Sequence, residues 1–216
     1  MDFKKIIDIF VMLFKKKDIT VEKPAEKPAE KPSKKAIKLS KRFEKATGKI
    51  SKVWKVGDKL SPHFSYDEMT RSQTAERNNI NNTPNLEQVD SLVDLCENIL
   101  EPGRKHFKKP VMVTSGFRCI ELNRRIGSTD KSQHPKGEAA DFVVNGKATV
   151  TDVWKWIIES DLDFDQVIQE FGRWIHVSYK KDGKNRHKCS IARKVDGKTR
   201  YFHYTEDRIA SGEYEL

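Results

Sequence analysis

Ser132-Gln133-His134-Pro135-Lys136-Gly137-Glu138-Ala139-Ala140-Asp141 is followed, some thirty-five positions on, by Trp174-Ile175-His176-Val177-Ser178. Residues 137–144 read as a strand, which places Gly137, Ala139 and Asp141 on one face because strand side chains alternate with period two. The small residues leave space beside the carboxylate, and His134, across the Pro135 bend, can fold back over the same face. In the second stretch Trp174, His176 and Ser178 share one face and Ile175, Val177 and Tyr179 the other, so one side meets a core and one a cleft. Two imidazoles and a carboxylate facing a cleft can bind a divalent metal and leave a coordination position open, which is what separates a catalytic zinc from a structural one. Hydrolysis is the chemistry this predicts.

Outward from these strands the domain reads as α+β, a small antiparallel sheet with helices packed on one side. Ser65 followed by Glu68 is a helix N-cap signal, with Phe64 and Met69 spaced as a hydrophobic staple. Thr83-Pro84 opens a helix with Leu86, Val89, Val93, Cys96 and Leu100 as its apolar stripe, ended by Pro102-Gly103. Strands are expected at 111–114, 139–144, 164–169 and 174–179. Asp182-Gly183 and Asp196-Gly197 are turn signals joining further short strands through Tyr204.

The pattern Ser-x-His-x-x-Gly-x-Ala-x-Asp, met by Ser132, His134, Gly137, Ala139 and Asp141, together with Trp174-x-His176, resembles the zinc D,D-peptidases of the D-Ala-D-Ala carboxypeptidase type. That group includes phage endolysins and shares its fold with the hedgehog signalling domain. The resemblance runs from about Phe64 to Tyr179. It implies zinc on His134, Asp141 and His176, and Arg118 of Ser115-Gly116-Phe117-Arg118 gripping a substrate carboxylate or carbonyl, for which a guanidinium fork is suited. Ser132, Gln133 and Trp174 would be further substrate contacts. Many members carry the catalytic carboxylate three residues before the last His ligand; here that position is Arg173. Glu170, six before His176 with Gly172 between, is similar to the arrangement in the hedgehog domain and in a subset of the phage-type peptidases. Glu170 is therefore the expected general base and acid. Cys119 stands where a Ser after the Arg is usual.

The implied activity is hydrolysis of amide bonds in peptidoglycan stem or cross-bridge peptides. The rival is a non-catalytic cell-wall-binding or structural phage protein that keeps the zinc fold, a reading favoured by Arg173 in place of the usual acid. The same donors also form the facial triad of iron(II) oxygenases. Those enzymes usually place the acid two residues after the first His, whereas the interval here is seven, so zinc is the expected cofactor. Structural readings stand beside the functional ones: Arg118 could pair with Glu121 or Asp141, and Glu170 could be a surface residue at a strand end. Trp154 and Trp156 sit in a helical pattern and are read as packing residues. His63, His106, His187 and His203 lack partners at ligand spacing and are read as structural. The three cysteines, Cys96, Cys119 and Cys189, give no disulfide framework.

Charge divides the chain. Residues 1–60 carry 18 Lys and Arg against 8 Asp and Glu, and residues 61–216 carry 24 against 24, so the net charge of +10 belongs to the N-terminal arm. Residues 1–20 are a short apolar and basic segment. The apolar run between Phe3 and Phe14 is broken by Asp8, and it falls short of the roughly twenty residues a spanning helix needs. It also lacks the cleavage site of a signal peptide. An amphipathic helix on an anionic membrane is its functional reading. Residues 21–60 are a linker and basic segment. Glu22-Lys23-Pro24-Ala25-Glu26-Lys27-Pro28-Ala29-Glu30-Lys31-Pro32 repeats a proline every fourth residue and reads as a semi-rigid extended spacer. Residues 33–60 read as a basic amphipathic helix whose lysines could meet phospholipid or wall polyanions; nucleic acid ranks last because no base-reading motif is present. Synthesis in the cytoplasm and action at the cell wall, released by lysis or carried by a phage, complete the expectation.

Overall fold

The computed structural model of the chain describes residues 53–205. Short helices come first: α1 (Tyr66–Thr70), capped by the Ser65 hydroxyl, and α2 (Gln73–Arg77), capped by Ser72. Helix α3 (Leu86–Leu95) opens on a capping box between Asn85 and Gln88 and runs through a π turn (Cys96–Leu100) into α4 (Glu101–Phe107). Strand β1 (Val111–Ser115), α5 (Ile120–Arg125) and a 3₁₀ turn (His134–Lys136) precede β2 (Ala139–Val144) and α6 (Val150–Glu159). Strands β3 (Gln166–Glu170), β4 (Trp174–Ser178), β5 (Lys188–Val195) and β6 (Lys198–Tyr204) finish the domain.

The six strands form one sheet in the order β1-β2-β4-β3-β5-β6. One face packs Ala140, Phe142, Val167, Ile175, Val177, Cys189 and Ile191 against Val89, Leu92 and Leu95 of α3 and Val153, Trp154 and Ile157 of α6, all buried in one cluster. Each fully buried Leu or Ile contributes roughly 1.5–3 kcal/mol through removal from water. The opposite face is laid out by register: Ser115, Asp141, His176, Ile168, Ser190 and His203 are cross-strand partners in succession, a single row across all six strands. The neighbouring row holds Trp174, Glu170, Ala192 and Tyr201.

The α+β reading with a mostly antiparallel sheet holds, and several of its details change. The sheet is antiparallel except for β3 and β5, which pair in parallel. Asp182-Gly183 therefore sits in a crossover rather than a hairpin, whereas Asp196-Gly197, both with positive φ, does close the β5–β6 hairpin. The long helix does not end at Pro102-Gly103. In the π turn the Glu101 N–H reaches the Cys96 carbonyl, and this re-registers the ladder so that Pro102 enters the first turn of α4, where its missing N–H is not needed. Its buried stripe is Val89, Leu92, Leu95, Cys96, Ile99 and Leu100, and Leu86 is exposed. Gly137 lies before β2 in a left-handed conformation (φ +74), where a Cβ would meet the Gln88 carbonyl oxygen at 2.2 Å. Its lack of a side chain lets the turn approach α3 rather than clearing space beside Asp141. The expectations for residues 1–52 lie outside the described residues. Residues 53–60, the end of the expected basic helix, are non-helical: Asp58 turns back on Lys55 and accepts from the Tyr66 N–H, and Trp54 stacks on Tyr66.

Candidate metal centre

Asp141 and His176 are direct cross-strand partners on β2 and β4, so pleating alone puts their side chains side by side. His134 arrives from the 3₁₀ turn. Its placement depends on Gly116, where a Cβ would lie 2.3 Å from the Met69 carbonyl oxygen, an approach open only to glycine. The Gly116 carbonyl accepts a hydrogen bond from His134 Nδ1 at 2.6 Å. Because a carbonyl only accepts, the proton is on Nδ1 and Nε2 presents a lone pair, the orientation a ligating imidazole takes from a backbone carbonyl behind it.

The three donor atoms converge. His176 Nδ1 lies 2.8 Å from Asp141 Oδ1, and His134 Nε2 lies 3.3 Å from each of those atoms. Metal bonds of about 2.0–2.2 Å at tetrahedral angles set neighbouring ligand atoms roughly 3.3–3.6 Å apart, so the trio is spaced for a zinc-sized ion after a small relaxation of one pair. His134 is 2% and Asp141 9% exposed, which shields the group from competing water. Burial lowers the His134 pKa, outweighing the opposing pull of Asp141, so the imidazole is neutral. Burial alone would raise the Asp141 carboxyl, but its two histidine neighbours hold it far below the usual carboxylate range. A neutral imidazole and an ionised carboxylate are the states that metal binding requires. The donor set fits a divalent metal.

Arg118 is committed locally. Its Nη2 donates to Asp141 Oδ2 and its Nε to Ser115 Oγ at 2.8 Å, while Nη1 carries no hydrogen bond to the described residues. The guanidinium thus holds the carboxylate by one oxygen and leaves the other toward the histidines. A bulge in β1 between Val113 and Ser115 tightens the same corner, with the Thr114 hydroxyl donating to the Asp141 carbonyl at 3.1 Å. Glu170 ends β3 in the row beside His176, half-buried; its pKa is raised by burial and by the Asp141 charge, against His176 and Arg118. An elevated carboxylate pKa suits a group that must both take and return a proton.

His134, Asp141, His176, Arg118 and Glu170 line one open cleft of about 860 Å³, with Ser132, Gln133 and Trp174 among its walls. Ser132 Oγ accepts from the His134 N–H at 3.4 Å, and Gln133 Nε2 donates to Glu138 at 3.2 Å. Arg173 is exposed on the turn after Phe171 and Gly172 and lines a different depression, so its charge does not occupy the position between the histidines. His63 pairs with Glu101, His106 stacks on Trp156 and His187 pairs with Asp163. Cys96 and Cys189 are buried and in no disulfide, and the Cys119 sulfur caps α5 by accepting from the Leu122 N–H. His203 departs from its structural reading: it is hydrogen-bonded to Ser190 at 2.8 Å and lines the cleft, as do Lys188, Thr199 and Tyr201. Spacing within the chain carried no sign of these four, because they reach the site only through the parallel pairing of β5 with β3.

Comparison with curated proteins finds none that matches the chain. Residues 62–178, from just before α1 to the end of β4, match the family model Peptidase M15. The matched segment holds every residue of the converging trio together with Glu170 and Arg118. The chain therefore belongs to the M15 peptidases, the zinc-dependent D-Ala-D-Ala carboxypeptidase type that its sequence pattern resembles.

Proposed function

We propose that the protein hydrolyses an amide bond in the stem or cross-bridge peptides of peptidoglycan, with D,D-carboxypeptidase or endopeptidase specificity. The convergence of His134 Nε2, Asp141 Oδ1 and His176 Nδ1 at the wall of an open cleft, with Glu170 one row away, is the observation that carries this reading. His134, Asp141 and His176 would hold zinc, whose Lewis acidity would polarise the scissile carbonyl. The Glu170 carboxylate takes a proton from the attacking water as the water oxygen bonds to the carbonyl carbon. It then passes that proton to the amine nitrogen as the C–N bond breaks, leaving a carboxylate and a new amine end. Arg118 fixes Asp141 and lines the cleft where a substrate carboxylate would lie. Contact of the basic residues 1–60 with an anionic membrane or wall polymer, and release at the cell wall by phage lysis, belong to the same reading and rest on the charge division of the sequence.

The test measures zinc content and release of amine ends from purified peptidoglycan for the wild type, Glu170→Gln and His134→Ala. Glu170→Gln should keep its zinc and lose about 10²- to 10⁴-fold in turnover, the usual reach of general acid-base catalysis. His134→Ala should lose both metal and activity. Zinc without cleavage by the wild type would replace the hydrolase with a wall-binding module.

A further inference from the structure

The β5–β6 hairpin lies wholly beyond the family-matched residues 62–178, yet it builds one wall of the cleft. In the row next to the metal-binding trio, Glu170 on β3 is followed by Ala192 on β5 and Tyr201 on β6 as successive cross-strand partners. Ala192 is buried and ends at Cβ, so nothing rises from the sheet between the carboxylate and the phenol. Adjacent strands are about 4.8 Å apart, which sets the Glu170 and Tyr201 backbones roughly 10 Å from each other, with their side chains on the same face. The phenol lines the same cleft as the trio, and both the Glu170 and the Asp141 charges act on it. Phe202, the next residue on β6, points to the other face and is exposed.

Hydrolysis of an amide develops negative charge on the carbonyl oxygen, and a preorganised N–H or O–H aimed at that oxygen stabilises it without reorganisation. Arg118 has Nε on Ser115 and Nη2 on Asp141, so a two-pronged grip on substrate by that edge is not open. His203 has Nδ1 engaged by Ser190. Tyr201 is half-exposed toward the cleft, and the phenol stays protonated because burial and then the Glu170 and Asp141 charges raise its pKa.

We infer that Tyr201 is a further catalytic residue, its hydroxyl donating a hydrogen bond to the oxygen of the scissile carbonyl, opposite Glu170 across Ala192. The inference rests on the peptidase reading above.

Tyr201→Phe in the full chain removes the hydroxyl and keeps the ring. Steady-state hydrolysis of soluble stem peptides should show kcat down about 10²- to 10³-fold, the loss typical of one oxyanion donor, with KM within about twofold. Zinc content and Tm should match the wild type, and Phe202→Ser on the opposite face should leave kcat unchanged. An undiminished kcat in Tyr201→Phe, or a rise in KM alone, overturns the role of Tyr201 while the peptidase stands. A wild type that releases no amine ends overturns the peptidase reading and this inference with it.

Discussion

Replacing Gly137 by Ala tests the claim that the ligand-bearing turn is held in place by a backbone approach that only glycine permits. Two costs add. The left-handed φ of +74 penalises any L side chain by about 1–2 kcal/mol. The new Cβ would stand 2.2 Å from the Gln88 carbonyl oxygen and 3.0 Å from its carbon, and since both are backbone atoms of α3 no rotamer change relieves them. Overpacking of this kind typically adds about 1–3 kcal/mol, for a total of about 2–5 kcal/mol. At about 2–4 °C per kcal/mol for a domain of this size, Tm should fall by roughly 10 °C. The turn carries His134, whose carbonyl accepts the Gly137 N–H at 3.1 Å, so zinc affinity should fall as well. Gly183→Ala isolates the first cost: φ there is +67 and nothing lies within 4 Å of the added Cβ, so about 1–2 kcal/mol is expected. Urea titration of both variants at constant m gives the two values. If Gly137→Ala loses no more stability than Gly183→Ala and retains full zinc, the approach to Gln88 does not position His134 and the reasoning fails.

Two other perturbations follow from the same geometry. Arg118→Ala removes the donor to Asp141 Oδ2 and should weaken zinc about 10- to 100-fold, as loss of a group that orients a ligand does; competition against a chelator reads this, and an unchanged affinity would restrict Arg118 to substrate. Asp165 is fully buried and holds Lys180 at 2.8 Å together with the Arg186 guanidinium. Burial alone would raise its carboxyl, but the Arg186 and Lys180 hydrogen bonds and charges hold it below the usual value. A carboxyl depressed by folding stabilises above its unfolded pKa, near 3.9, and that stability is lost as pH falls through the lower folded pKa. Asp165→Asn should cost about 2 kcal/mol at pH 7, less than a fully buried pair because both cations are partly exposed. It should also flatten the urea midpoint as pH falls below about 4; an acid limb as steep as the wild type's would assign acid sensitivity elsewhere.

The sequence alone carried the local part of this protein. Period-two alternation put Asp141 and His176 on cleft-facing sides of strands, Ser65 marked a helix start, Asp196-Gly197 marked a hairpin, and the ten residues from Ser132 to Asp141 identified the family. These are short-range consequences of pleating, capping and turn chemistry, and they need no knowledge of what packs where. The tertiary structure decided the rest. Pairing β5 in parallel beside β3 depends on contacts between residues far apart in the chain, and it alone brings Lys188, Tyr201 and His203 to the cleft. The π turn that carries the helix past Pro102 reflects packing of its apolar face, which local propensity does not encode. Gly137 looked like room for a carboxylate and proved to be room for Gln88, because the neighbour that needs the space comes from α3, about fifty residues earlier.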